Sequence, residues 1–401
     1  VEVLLTSGDR SSHSTNAWIW AVATRETIAT LDLDGLDPTL IQDSADTLNL
    51  YIATLPAGQT DFSILGGFGD LLDSVDGTGI VVVGTIPANV QETAAAGIDV
   101  RKFAPAAISG ETGADQDLPR LEEGDVYGLS DEVDPDGILA TITDLQGTSS
   151  TDGTGIGTRQ YLQPGNVIAA EYLFRKLESY GLEVHYEDFI SPEGTLASNI
   201  VAEIPGRDDS AIYGVMAHFD SIAETFAIAP GADDNATGVA AALEIARILS
   251  GYELEHPVHI IFVNAEETGI VGSRYFAASA VRNQVPYEGI FNLDSIGSAR
   301  QGQLVWLNSD STSEWMMALM IRINEAYGLG QDIQARVNPQ IVADDNRLRE
   351  QGFESILVAR ELFGTSPYHH TSGDTLENMS VPNTTSATQL VLLTIASLVI
   401  P

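Results

Sequence analysis

From about residue 160 onward, short apolar runs alternate with stretches in which apolar residues return every three to four positions. That is the pattern of strands alternating with helices. Val167, Ala170, Leu173 and Leu177 predict a helix over Pro164 to Tyr180, closed by Gly181. Strands are expected at Glu183 to Phe189 and Asn199 to Ile204, then at Ile212 to Ala217, which runs directly into His218. A turn rich in Gly and Asp precedes a helix at Gly238 to Leu249. The series continues with a strand at Val258 to Val263, a helix around Ser273 to Val281 and a strand at Gly289 to Leu293. A helix at Ser313 to Tyr327, a strand at Ser355 to Val358 and a terminal helix complete it. The order predicts an α/β domain of three layers, with a mixed, largely parallel central sheet flanked by helices.

The first part of the chain reads differently. Leu48 to Thr54 and Gly79 to Val83 look like strands and Val90 to Gly97 like a short helix, punctuated by Gly66-Gly67 and Asp76-Gly77. Two acidic, glycine-bearing stretches, Gly110 to Asp115 and Asp131 to Gly137, read as a boundary. Residues 1–128 are therefore expected to form a small α+β accessory or pro-segment-like domain including the linker, and residues 129–401 the main domain.

Charge and composition narrow the partners. The 401 residues carry 57 acidic and 18 basic side chains, a formal net charge of −39, and only Lys102 and Lys176 are lysines. Nucleic acid and anionic membranes need a basic footprint, so neither is an expected partner. The acidic balance suits an extracellular enzyme, and a halotolerant or marine source. The chain has no cysteine, which excludes disulfides, thiol nucleophiles and thiolate metal sites. The most apolar run, Leu390 to Ile400, is 11 residues long, far short of the ~20 that cross a bilayer.

The chemistry gathers where strands are predicted to end, the edge at which open α/β sheets bind ligands. His218-Phe219-Asp220-Ser221 ends one strand, and Gly231 to Gly238 (GADDNATG) leads into a helix. Asn264-Ala265-Glu266-Glu267-Thr268-Gly269 follows another strand, Asn292-Leu293-Asp294 closes a third, and Tyr368-His369-His370-Thr371-Ser372-Gly373-Asp374 lies on a late loop. Taken singly, each has a bland explanation as a helix-start signal, a packed histidine or a surface pair. Together they would crowd like charges, which costs free energy unless cations neutralise them. Imidazoles and carboxylates without thiolates suit zinc or a similar divalent ion better than an all-oxygen calcium cage. Two imidazoles and three carboxylates suffice for two metals if one carboxylate bridges. His185, His256 and His259 fall outside this cluster and read as packed or surface residues.

The ordered segments HFDS, PGADDNATG, NAEETG, NLDSIG and YHHTSGDT resemble the motif set of the M28 family of zinc peptidases, of which bacterial leucine aminopeptidases are compact members. The resemblance covers residues 129 to 401. It implies Asp234 as the bridging ligand, His218 and Asp294 on one zinc, Glu267 and His370 on the other, Glu266 as general base, and Asp220 as the carboxylate orienting His218. It further implies two zinc ions per chain, a hydroxide bridging them, and removal of the first residue from peptides with a free N-terminus. One departure stands out. Many members carry Tyr directly before the last histidine, where this chain has His369 with Tyr368 one place earlier, so the oxyanion donor is either of these. Asp344 and Asp345 ahead of Gly352-Phe353 loosely echo a substrate-side loop of the family.

Three other readings share the fold. A glutaminyl cyclase would use one zinc, against which the presence of both His218 and Asp294 argues. A carboxypeptidase would need a cation for the substrate's C-terminus, and Arg347, Arg349 and Arg360 are the candidates. A non-catalytic binding protein would have lost ligands that this chain retains.

Overall fold

The fold was taken from a computed structural model. It describes residues 126–400 apart from 148–155, 157, 193, 300–303, 339–340 and 361–365 and, before them, seven strands. These are β1 (Glu2–Ser7), β2 (Ile19–Thr24), β3 (Thr39–Asp43), β4 (Leu50–Thr54), β5 (Asp70–Val75), β6 (Thr78–Val82) and β7 (Asp99–Lys102). The chain divides into two compact units, Val1–Asp117 with Pro192–Leu196, and Leu118–Ser191 with Ala197–Pro401.

In the first unit β1 pairs antiparallel with β2 on one side and β3 on the other. A second antiparallel sheet runs in the order β5-β6-β4-β7. The strands expected near residues 48–54 and 79–83 are β4 and β6, and they pair with each other from Leu50 opposite Val82 to Thr54 opposite Thr78. The helix expected at Val90 to Gly97 and the stretch Gly110 to Asp115 lie outside the described residues.

The second unit holds an eight-stranded sheet. Its strands are β8 (Glu183–Ile190), β9 (Leu196–Ile204), β10 (Ile212–His218), β11 (Val258–Val263), β12 (Tyr287–Leu293), β13 (Leu304–Ser309), β14 (Asp332–Val337) and β15 (Ser355–Ala359). The order is β14-β13-β15-β12-β10-β11-β9-β8. The centre, β11-β10-β12-β15, is parallel, β9 joins β11 antiparallel, and β13 joins β15 antiparallel. This is the mixed, centrally parallel α/β sheet that the sequence pattern predicts. β10, β12 and β15 are buried almost throughout, as strands covered by helices on both faces must be.

The helices are α1 (Pro135–Gln146), α2 (Pro164–Ser179), α3 (Gly238–Leu249), α4 (Val271–Arg282), α5 (Glu314–Tyr327), α6 (Asp344–Arg349) and α7 (Val381–Val399). α3 packs on β10, β11 and β12 and is backed by α1 and α7. Phe276, Ala277 and Ala280 of α4 and Leu348 of α6 pack with Val201, Met216, Ile261, Val263 and Ile290 of the sheet.

Three details depart from the sequence pattern. The acidic stretch Asp131 to Gly137 is no linker: Asp134 caps α1, its carboxylate accepting from the Asp136 amide, and Pro135 fills the first turn. The expected boundary at 128/129 falls inside a short 3₁₀ turn, Val126–Glu132, whose Leu129 is buried. In α2, Val167 is 65% exposed, and Asn166 faces inward instead. There it exchanges a reciprocal pair of amide hydrogen bonds with Asn264, at 3.0 and 2.9 Å.

Candidate metal centre

Five backbone segments converge at the carboxy ends of the parallel strands. β10 delivers His218 as its last residue, and two residues on lies Asp220; both are 1% exposed. Asp220 accepts from the backbone amides of Glu266 and Glu267, one on each oxygen, at 3.0 and 3.2 Å. A single carboxylate thus fixes the turn after β11 that carries both glutamates. Asn264 supports that turn, its side-chain oxygen accepting from the Ala265 amide at 2.9 Å.

The turn before α3 is held from the other side. Both oxygens of Asp374 accept backbone amides at 2.9 Å, one from Asp233 and one from Asp234. Asn235 donates to the Leu293 carbonyl at 2.8 Å and accepts from the Ser295 amide, tying Asp234 to the end of β12 where Asp294 sits. Gly231 at φ 55° opens the turn, and a Cβ there would lie 2.4 Å from the Asp234 carbonyl oxygen. Beneath it Arg159, fully buried, donates to the carbonyls of Leu145, Phe219, Pro230 and Gly231. Ala265, Ser295 and His370 all adopt left-handed φ values between 52° and 58°. Non-glycine residues in that region gather where a site over-determines the backbone.

These supports aim side chains at Asp234 from two directions. On its Oδ1 side, His218 Nε2 stands 3.2 Å away and is itself 3.6 Å from Asp294 Oδ1. On its Oδ2 side, His370 Nε2 lies 3.4 Å away and 2.8 Å from Glu267 Oε2. His369 Nδ1 lies 3.0 Å from the same Oδ2. Ligand atoms on a tetrahedral zinc with bonds near 2.0–2.1 Å are about 3.3 Å apart, so both sets have the spacing of ligands around an ion. His218 Nδ1 and Glu267 Oε1 are buried without a hydrogen-bond partner. Asp220 Oδ1 faces that Nδ1 at 3.6 Å, just beyond direct bonding but close enough to orient the ring by charge.

The electrostatics report a surplus of anions. Burial alone would lower the pKa of His218, but Asp220, Asp234 and Asp294 overcome it and hold it well above the usual imidazole value. Burial likewise opposes the shift at His370, where Asp234 and Glu267 raise the pKa to about 10. Burial, then the charge of Asp234, pushes Glu267 up to about 7. Burial, with Asp344 and Glu267 adding, pushes Glu266 well above a normal carboxylic acid. Glu266 is only partly buried as a residue, yet its carboxyl is desolvated among these charges. Divalent cations fit such a donor set: carboxylates and imidazoles with too little positive charge among them.

All seven residues singled out from the sequence (His218, Asp220, Asp234, Glu266, Glu267, Asp294 and His370) come together here. His256 and His259 do not. His256 Nδ1 bonds the Asp208 carbonyl and His259 Nδ1 the Tyr287 hydroxyl, at 3.0 and 2.6 Å, near the opposite strand ends. The three arginines proposed for a carboxylate pocket are engaged elsewhere: Arg347 with Glu350, Arg349 with Asp345 and Asp310, and buried Arg360 with Gln331 and the Asn383 carbonyl. The supporting roles of Asp374, Arg159, Asn166 and Asn235 were not readable from sequence, because hydrogen bonds to remote backbone leave no spacing pattern.

A strand edge bearing two linked sets of zinc-type ligands defines a metallohydrolase-like α/β protein. Residues 199–395 match the model of peptidase family M28. A probable zinc metalloprotease of Pyrenophora tritici-repentis is 30% identical over 197 residues, 45% of this chain and 41% of that protein. The chain thus spans about two fifths of the length of that curated relative. Among solved structures, BSAP, a zinc aminopeptidase from Bacillus subtilis, superposes with a TM-score of 0.59 at 15% identity, over 67% of this chain and 96% of BSAP. A glutaminyl cyclase from Bacteroides thetaiotaomicron superposes with a TM-score of 0.55 at 22% identity, over 66% and 98%. At these identities the superpositions show the fold, and the fold is common to both activities.

Proposed function

We propose that this protein is a dizinc aminopeptidase. The observation that carries the reading is the division of Asp234, whose Oδ1 faces His218 and, beyond it, Asp294, while its Oδ2 faces His370 and Glu267. A carboxylate with a separate donor set on each oxygen is built to bridge two ions. A single-zinc cyclase has no use for the first set, and a carboxypeptidase has no candidate arginine to spare.

Zinc, when bound, polarises the scissile carbonyl and lowers the pKa of water. Glu266 stands beside the ligands with its backbone pinned by Asp220, and it takes the proton of the attacking water and returns it to the departing amine. Asp220 positions both this base and the His218 ring. The surplus of carboxylates draws the positively charged α-amine of a peptide into the site and so favours removal of the first residue. Peptides with a free N-terminus are the substrates, and the acidic surface suits work outside the cell.

A panel of aminoacyl and N-blocked chromogenic substrates, assayed with and without a chelator, tests the reading. We expect turnover of the free-amine substrates alone, lost on chelation and regained with zinc. Turnover of the blocked substrates would overturn the aminopeptidase assignment, and turnover indifferent to chelation would overturn the zinc chemistry. Glu266→Gln should lower kcat by about 10²–10⁴-fold while bound zinc stays unchanged.

A further inference from the structure

Beside the ligand set already described stands one more imidazole. His369 and His370 are adjacent in sequence, and in extended backbone adjacent side chains would point to opposite faces. The left-handed conformation of His370, φ 58°, breaks that alternation. The two rings stack with centroids 3.7 Å apart and planes 23° apart, and both present a nitrogen to Asp234 Oδ2. The loop that carries them is fastened at several points. Ser372 donates through its amide and its hydroxyl to the two oxygens of Glu224, at 2.7 and 2.6 Å, and Asp374 clamps the turn of Asp234 as described.

We infer that His369 is itself a metal ligand, the fourth protein donor to the ion held by Asp234 Oδ2, Glu267 and His370. The ligand atoms of Asp234, His369 and His370 lie within 4.8 Å of one another, as those of His218, Asp234 and Glu267 do. The 3.0 Å separation of His369 Nδ1 from Asp234 Oδ2 is near the edge of a zinc tetrahedron. Tyr368, one place earlier, is an exposed side chain, whereas His369 stands against Asp234. The consequence is an asymmetric pair. The ion on the His218 side has three protein ligands and open positions for water and substrate, whereas the His369 side is closed in the manner of tightly held zinc. The inference rests on the two-metal reading above.

Zinc X-ray absorption of the full-length protein, combined with zinc counting and chelator competition, tests it. The wild type should show two zincs sharing three imidazoles. In His369→Phe, which keeps a ring on His370 but removes the nitrogen, and in His369→Tyr, two imidazoles should remain. One of the two zincs should then be lost to chelator about tenfold or more easily, while the other holds as before. Two zincs with the same imidazole count and chelator resistance in wild type and both variants would overturn the inference. A wild type binding only one zinc would instead contradict the two-metal reading. The imidazole count on that zinc would still fall by one in the variants if His369 is a ligand, and an unchanged count would overturn His369 in that case too.

Discussion

The two ends of the central strands use the same residue types for opposite purposes. At the carboxy ends of β10 and β12, with the turn after β11, His218 and His370 face carboxylates and are driven toward the charged form. Toward the amino ends of β11 and β12, His259 lies against the Tyr287 hydroxyl and ring. Burial lowers its pKa to about 4, with His185 adding to the effect. Glu203 stands 3.7 Å from its Nε2 but is itself half exposed, too well solvated to reverse the shift. A buried histidine is therefore a packing element or a ligand according to how many desolvated carboxylates converge on it. One solvated glutamate leaves it neutral, and three buried aspartates leave a site that cations complete.

Substitutions can break that contrast at either end. The largest effect is expected from Asp234→Ala, which removes the donor common to both ligand sets. Activity should fall to background and zinc counting should show both ions lost; retention of both with activity would refute the bridge. Asp374→Ala comes next, since it frees the two amides that hold the turn of Asp234. We expect zinc affinity to drop by about 10–100-fold with little change in the far-ultraviolet circular dichroism.

At the other end, His259→Phe should leave kcat/KM within about twofold and change the acid response instead. The unfolded chain binds a proton on His259 near pH 6.5, whereas the folded one does so only near 4. Wild-type stability contributed by this group should therefore fall as pH drops from 6.5 to about 4 and level off below. The loss is at most about 3 kcal/mol. The variant should lack that slope in denaturant melts taken across the window. An identical slope in variant and wild type would remove His259 from the account.

Much of the contrast could be read before the structure was known. The apolar runs that end in His218, Asn264 and Asp294 are buried parallel strands, and such strands announce themselves by composition. β14 escaped because it is an edge strand exposed along most of its length, and β13 because its apolar residues, Leu304 to Leu307, give way at once to Asn308 and Ser309. α7 starts at Val381, ahead of its apolar run, because Thr384, Thr388 and Thr394 return their hydroxyls to carbonyls four residues back and can be buried inside a helix. The motif residues were legible as types at strand ends. The clamps by Asp220 and Asp374, and the way His369 and His370 turn to one side, depend on backbone conformations that no spacing rule encodes.

The central claim is that Asp234 joins two ions. Anomalous scattering at the zinc edge from crystals of the zinc-loaded protein addresses it directly. The account predicts two peaks roughly 3.5–4 Å apart, one beside Asp234 Oδ1 and His218, the other beside Oδ2, Glu267 and His370. A single peak at full zinc occupancy, or two that do not share Asp234, would contradict it.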